Sequence, residues 1–176
     1  MTISAITFSR LRVPLKKPFK TAVRSVTHLD DIVVKIADTD GFFGYGSAPS
    51  TPQITGETHE TIQSVIKSHV FPAISGLPCD NISVATDAVQ HSIVGNTSAK
   101  AAVEIALYDV WAQKQQKPLF RALGGKLNEL QTDYTISVND LTTMMKDCQA
   151  AIDCGYRCLK IKVGSNFKQD LISLPK

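Results

Sequence analysis

The chain has 176 residues, a hydrophobic fraction of 43%, a charged fraction of 20% and a net charge of +3 at pH 7. These values are ordinary for a globular protein, and no apolar run approaches the roughly 20 residues that a membrane span needs. The basic residues are scattered without interleaved aromatic residues, so we expect no nucleic-acid partner and no membrane partner. The start lacks a basic segment followed by a continuous apolar stretch, which makes a cytoplasmic location the default expectation.

The cysteines are few and widely spaced. They form no C-x-x-C pair, and no histidine stands at the spacing of a zinc site. The pattern therefore predicts buried thiols and no metal centre at Cys79, Cys148, Cys154 and Cys158.

The first part of the chain is rich in strand signals. Residues 3–13 alternate imperfectly between apolar and polar types, which predicts an opening strand that gives way to an irregular loop from Pro14 onward. A second strand over residues 31–37 runs into Asp38-Thr39-Asp40-Gly41 and then into residues 42–46. An Asp-Gly turn between β-rich runs predicts a hairpin.

Helical spacing follows this hairpin. Apolar residues recur at helical intervals behind the polar segment 57–60, and a second helix is predicted from about Ser83 to Ile93. The strongest helical pattern runs from Ser98 to about Gln115, with Ser98 as the predicted N-cap.

A domain boundary is predicted near residue 125, where Gly124 and Gly125 interrupt the pattern. Beyond it the order becomes strand, helix, strand, over residues 132–138, 141–154 and 158–163. This order predicts one βαβ unit with parallel strands and a right-handed crossover. Residues 165–176 have the pattern of a second helix that is beginning.

Two lysines alternate with apolar residues in the last predicted strand. Successive side chains of a strand point to opposite faces, so Lys160 and Lys162 share one face. Like charge and desolvation both disfavour the ammonium form, and such a pair is a route to a neutral lysine that acts as a base. The alternative is an edge strand whose lysines point to solvent.

Several segments together carry a family resemblance. They are Pro14-Leu15-Lys16-Lys17-Pro18-Phe19, Thr21-Ala22-Val23-Arg24, Ala48-Pro49 with Ile54-Thr55-Gly56, the helix from Ser98 to Asp109, Pro118 to Gly125, Thr132 to Val138, and Leu159-Lys160-Ile161-Lys162-Val163-Gly164. In their sequence and order they resemble the enolase superfamily, within it the muconate lactonizing enzyme group, and most closely the dipeptide epimerases of the L-Ala-D/L-Glu type.

The resemblance implies a fold in two parts. Residues 1–125 would form an enolase-like α+β capping domain, and residues 126–176 would form the first βαβ portion of an α/β, (β/α)8-type barrel that is incomplete. Two loops of the capping part, at about residues 17–28 and 47–57, would act as a lid that selects the substrate.

The resemblance also implies roles for individual residues. Lys162 would remove the proton alpha to a substrate carboxylate, and Lys160 would contact that carboxylate. Arg24 would bind the side-chain carboxylate of a glutamyl residue, because its planar fork suits a bidentate contact. The other expected substrate-binding residues are Thr135, Phe19 and Ile54.

The reaction implied is inversion of the α-carbon of the C-terminal residue of a dipeptide, with Mg²⁺ as cofactor. The metal carboxylates and the second base of such enzymes have no counterpart in these 176 residues, so the chain is expected to be the N-terminal part of the enzyme and inactive alone. The alternatives are a fragment of a muconate-type cycloisomerase or of an o-succinylbenzoate synthase, or a non-catalytic binding or oligomerising module. A homo-oligomer is a further expectation, because the βαβ portion would leave an open sheet edge.

Overall fold

The computed structural model describes residues 1–21, 23–126 and 129–163, which fall into two compact units. The first unit contains residues 1–13 and 29–126, and the second contains residues 14–28 and 129–163. The elements in chain order are β1 Ile3–Lys20, β2 Ser25–Asp38, β3 Phe43–Pro49, α1 His59–Val65, a π-helical turn Ile66–Val70, α2 Phe71–Ile74, α3 Ile82–His91, α4 Thr97–Lys114, α5 Leu119–Ala122, β4 Tyr134–Ile136, α6 Leu141–Asp153 and β5 Leu159–Ile161.

β2 is the central strand of a three-stranded sheet in the order β1-β2-β3. It pairs antiparallel with β3, from Asp31 opposite Pro49 to Ala37 opposite Phe43, which confirms the predicted hairpin. Gly41 takes the positive φ of 89° that the turn requires. The predicted irregular loop from Pro14 onward was wrong, since β1 continues to Lys20. Prolines are tolerated there because β1 is an edge strand.

The hairpin turn is held by a buried ion pair. The Asp38 side chain is fully buried, accepts hydrogen bonds from the backbone N–H groups of Asp40 and Phe42 at 2.9 Å, and contacts the ammonium group of Lys114 on α4. Burial acts to raise the pKa of Asp38, but the Lys114 and backbone hydrogen bonds outweigh it and the pKa is lowered. Asp38 therefore stays ionised and joins the turn to α4.

The core of the first unit lies between this sheet and the helices. Alternation along β2 buries Ile32, Val34 and Ile36, while helical spacing buries one apolar face of each packed helix. The helical contribution comes from Ile62, Ile66, Val70, Ile74, Ala85, Val89, Ala99, Ala102, Val103, Ala106, Leu107 and Val110.

α4 packs directly on β3 because two glycines leave room for it. A Cβ atom added at Gly44 would collide with the carbonyl oxygen of Ala106, and one added at Gly46 would collide with that of Ala102. Neither glycine has a positive φ, so their role is this close approach of backbone to backbone.

The N-terminus of α4 is capped from a distant loop. The prediction that Ser98 is the N-cap was wrong, since the helix starts at Thr97 and Asn96 occupies the cap position without a capping side-chain bond. The buried carboxylate of Glu57 instead accepts hydrogen bonds from the backbone N–H groups of Ser98 at 2.9 Å and Ala99 at 3.0 Å. A carboxylate there also suits the positive end of the helix dipole.

The second unit contains the predicted βαβ arrangement. β4 and β5 are parallel, with Tyr134 opposite Leu159 and Ile136 opposite Ile161, and α6 connects them. Asp140 caps α6 by accepting a hydrogen bond from the N–H of Thr143 at 2.9 Å. The α+β class followed by a βαβ portion is thus confirmed, and the described residues form no closed barrel. The predicted helix at 165–176 lies outside the described residues.

Two further sequence predictions concern the cysteines and the membrane. Only Cys79 is buried; Cys148 is half-buried and Cys154 and Cys158 are exposed, so the expectation of four buried thiols was wrong. Cys154 is the C-cap of α6 and Cys158 directly precedes β5, so both lie in the connection between these elements. Among the described residues, every helix is too short or too polar to cross a bilayer.

Candidate active site

The two lysines lie at the end of β5, next to β4. Lys160 is paired with Thr135, and the backbone N–H of Lys162 donates to the carbonyl oxygen of Ile136 at 3.2 Å. Paired residues of adjacent strands point to the same face, as do residues two apart in one strand, so Thr135, Lys160 and Lys162 share one face of this sheet. The placement of both lysines on one face, which their alternation with apolar residues predicts, is therefore present.

Lys162 occupies an environment that disfavours its charge. It is half-buried, whereas Lys160 is exposed, so the alternative of a solvent-facing lysine describes only Lys160. Burial lowers the pKa of Lys162, and the positive charges of Lys160 and Arg24 lower it further. A lysine of this kind reaches the neutral form at a lower pH than an isolated lysine, which is what a general base requires.

The ring of Phe19 lies against the same amine. The Nζ atom of Lys162 is 3.6 Å from the ring centroid of Phe19, close enough for a cation–π interaction. Phe19 is near the end of β1 and is 37% exposed.

Arg24 stands in the short connection between β1 and β2. The Thr21 backbone and side chain organise this connection, because the Thr21 N–H donates to the Arg24 carbonyl at 2.8 Å and the Arg24 N–H donates to the Thr21 hydroxyl at 3.1 Å. The Nε atom of Arg24 is buried and has no hydrogen-bond partner among the residues that the structure describes. A buried donor without a partner is costly, so this guanidinium is suited to receive an anion.

Two pairs of residues that no sequence pattern predicted join the end of β1 to other parts of the second unit. The Lys17 ammonium donates to the Asp147 carboxylate at 2.7 Å, and the Lys20 ammonium donates to the Asn139 side-chain carbonyl at 3.2 Å. Both pairs border a cleft that Phe19 and Thr135 also line. The partners are 130 and 119 residues apart in the chain, so no local pattern could have identified them.

Ile54 belongs to the first unit. It is 60% exposed, in a turn where its N–H donates to the carbonyl oxygen of Thr51 at 2.9 Å. The structure brings Phe19, Arg24, Lys160 and Lys162 together in the second unit, with Thr135 on the lysine face. A substrate-binding role for Ile54 stays a prediction.

A bound metal ion needs several ligand side chains close together. Nowhere in residues 1–21, 23–126 and 129–163 do three His, Cys, Asp or Glu side chains come together as metal ligands. The chemistry that this part of the chain offers is that of an amine whose pKa is lowered by burial and by two neighbouring cations. Such a site can remove a weakly acidic proton while binding negatively charged groups.

Comparison with known proteins identifies relatives of the whole described chain. Residues 3–124 match the family model described as the mandelate racemase / muconate lactonizing enzyme, N-terminal domain. The L-Ala-D/L-Glu epimerase of Clostridium acetobutylicum is 48% identical over 171 residues, which are 97% of this chain and 48% of that protein. The chain therefore spans about half the length of this curated relative.

Solved structures give the same result for the fold. A substrate-liganded complex of the L-Ala-D/L-Glu epimerase from Bacillus subtilis superposes with a TM-score of 0.93 at 42% identity, covering 98% of this chain and 48% of that one. A dipeptide epimerase from Cytophaga hutchinsonii, complexed with Mg and the dipeptide D-Ala-L-Val, superposes with a TM-score of 0.90 at 32% identity, covering 98% and 47%.

Proposed function

Because the chain belongs to the mandelate racemase / muconate lactonizing enzyme family, in which it carries the N-terminal domain, we propose that it forms the N-terminal part of a dipeptide epimerase. The substrate class is a dipeptide with a C-terminal acidic residue, as in L-Ala-Glu. The names of the relatives from Clostridium acetobutylicum and Bacillus subtilis support this choice over cycloisomerisation.

One observation carries the proposal: the half-buried Lys162 has two cationic neighbours, Lys160 and Arg24. Within the described residues none of these three side chains forms a salt bridge, and the Arg24 Nε atom has no hydrogen-bond partner. A ligand with two carboxylates would supply the missing negative charge. A dipeptide ending in glutamate has these two groups, the α-carboxylate and the side-chain carboxylate.

The chemistry assigned to the site is a proton transfer. In its neutral form the Lys162 amine takes the α-proton of the C-terminal residue, so that the Cα–H bond breaks and a new N–H bond forms. Lys160 binds the α-carboxylate, on which negative charge accumulates. An acid on the opposite face of that carbon, which we assign to the rest of the enzyme, then donates a proton to the carbon and inverts its configuration.

Arg24 and Thr135 position the substrate. The Arg24 guanidinium binds the glutamyl side-chain carboxylate, and Thr135 lies on the lysine face where a hydroxyl can donate to the substrate. Mg²⁺ enters the proposal as the ion found with the Cytophaga hutchinsonii relative. No group of ligands for it occurs in the described residues, and no step above goes through it.

A chimera tests the proposal. Residues 1–163 are joined to the following part of the Clostridium acetobutylicum relative, and the folded chimera is incubated with L-Ala-L-Glu and Mg²⁺. The expected result is formation of L-Ala-D-Glu, measured by chiral chromatography. A chimera that has the circular dichroism spectrum of the intact relative and yet forms no L-Ala-D-Glu would contradict the proposal.

A further inference from the structure

The Phe19 ring is in an unusual position for a residue that only lines a substrate pocket. Its face is directed at the amine of Lys162, with 3.6 Å between the ring centroid and Nζ. A cation–π interaction stabilises an ammonium group over an aromatic face. The ring therefore acts on the side chain that would carry out the proton transfer.

The other surroundings of Lys162 disfavour its ammonium form. From its own strand, Lys160 faces it with a positive charge, and from the connection between β1 and β2 so does Arg24. Burial acts in the same direction and is the largest of the three effects. Among the described residues, no carboxylate forms a salt bridge with Lys162. Within the part of the chain that the structure describes, the Phe19 ring is positioned to offset those effects.

The segment that carries Phe19 is itself fixed. Lys17 is bonded to Asp147 on α6 at 2.7 Å, and Lys20 is bonded to Asn139 before α6 at 3.2 Å. These two contacts flank Phe19 in the chain and join its segment to α6 and to the residue before the α6 cap, without involving Lys162. A flexible four-carbon side chain such as that of Lys162 gains a defined position by packing on a fixed surface.

We propose that Phe19 is a positioning residue for Lys162, whose ring face keeps the amine at one place at the end of β5 and favours its ammonium form. This inference rests on the proposed function in that Lys162 matters as the base. Phe19 then determines how readily that base loses its proton before a substrate arrives. The role differs from lining the substrate pocket because it acts on the enzyme's own lysine.

The test measures the pKa of Lys162 in the 176-residue chain, with neither dipeptide nor metal present. The chain is labelled with 13C in its lysine ε-carbons and titrated by NMR, and the Lys162 signal is identified by its loss in a Lys162→Arg variant. The compared variants are Phe19→Leu, which removes the ring, and Phe19→Tyr, which keeps it. Phe43→Leu is the matched control. It removes a ring from a similar cation–π contact in the first unit, where the Phe43 ring centroid is 4.0 Å from the Lys35 Nζ atom.

In Phe19→Leu we expect the pKa of Lys162 to fall by about 0.4–0.7 pH unit, because a partly exposed cation–π contact is of this size. Phe19→Tyr and Phe43→Leu are expected to leave it unchanged. A Lys162 pKa that is unchanged or raised in Phe19→Leu would overturn the inference. A fall of the same size in Phe19→Tyr would overturn it too, because the ring would then not be the cause. Since the titration needs no catalysis, failure of the epimerase proposal would leave this result interpretable.

Discussion

At the scale of single residues, the charge around Lys162 is the main feature of the second unit. Burial lowers the pKa of its amine, and the positive charges of Lys160 and Arg24 lower it further. The same arrangement that favours a neutral base creates an excess of positive charge around a half-buried amine. An anionic ligand relieves this excess, so base strength and affinity for carboxylates have one physical origin.

Arg24 gives the sharpest prediction about specificity. In the chimera, Arg24→Ala is expected to lower kcat/KM for L-Ala-L-Glu by about 100-fold, because loss of one partner of a charged pair costs about 2–5 kcal/mol. For the neutral dipeptide L-Ala-L-Ala the loss should be much smaller. Steady-state kinetics with both dipeptides measure the difference.

Arg12→Ala is the control for this prediction. Arg12 lies on β1, one of the two strands that the Arg24 connection joins, but it belongs to the first unit and its side chain is 60% exposed. The Arg12→Ala substitution should leave kcat/KM for both dipeptides unchanged. Equal losses for the acidic and the neutral dipeptide in Arg24→Ala would assign Arg24 to maintaining the β1–β2 connection instead of binding the substrate.

The sequence could identify some of these residues and not others. The alternation of lysines with apolar residues is local, and it was enough to place Lys160 and Lys162 on one face. The roles of Arg24 and Thr135 came from resemblance alone, because a lone arginine or threonine has no pattern. The contacts that fix Phe19 join segments more than 100 residues apart, and only the folded chain reveals them.

At the scale of elements, the packing of α4 on β3 organises the first unit. Gly44 and Gly46 are two residues apart on β3, so both face α4. The helix backbone therefore approaches the strand more closely than side chains at these positions would permit. The N-terminus of α4 also donates backbone hydrogen bonds to Glu57, and Lys114 near its C-terminus forms an ion pair with Asp38. Helix, hairpin and the loop before α1 are thereby joined in one structure.

Gly46→Ala tests this packing. The added methyl group would meet the carbonyl oxygen of Ala102, so the free energy of unfolding of the first unit should fall by about 1–3 kcal/mol, the usual cost of overpacking. Urea denaturation of the 176-residue chain, followed by circular dichroism, measures the change.

Ser9→Ala is the comparison for that experiment. Ser9 is exposed on β1 of the same sheet, and its substitution should change the free energy of unfolding by less than about 0.5 kcal/mol. If Gly46→Ala costs no more than Ser9→Ala, the close approach of α4 does not depend on the glycine.

The elements themselves were largely predictable, and their ends were not. Strand alternation and helical spacing are properties of neighbouring residues, which is why the hairpin, α4 and the βαβ order were found. The N-cap of α4 was misplaced because the capping carboxylate of Glu57 comes from 41 residues away. The extension of β1 through Pro14 was missed because its position at the sheet edge, which makes proline acceptable, is a tertiary property.

At the scale of the molecule, the chain consists of two compact units, and residues 14–28 belong to the second although they precede most of the first. The boundary predicted near residue 125 and the expected homo-oligomer stay predictions. The chain matches its relatives along nearly its whole length while spanning about half of theirs. The activity proposed here is therefore that of the protein to which these residues contribute the capping fold and Lys162.

Proton exchange at the α-carbon tests the central claim most directly. The chimera and its Lys162→Arg variant are incubated with L-Ala-L-Glu and Mg²⁺ in D₂O, and loss of the glutamate α-proton signal is followed by NMR. We predict exchange in the chimera and a fall of at least about 100-fold in Lys162→Arg, because a guanidinium cannot act as the base. Exchange at an undiminished rate in the Lys162→Arg chimera would contradict the assignment of Lys162 as the base.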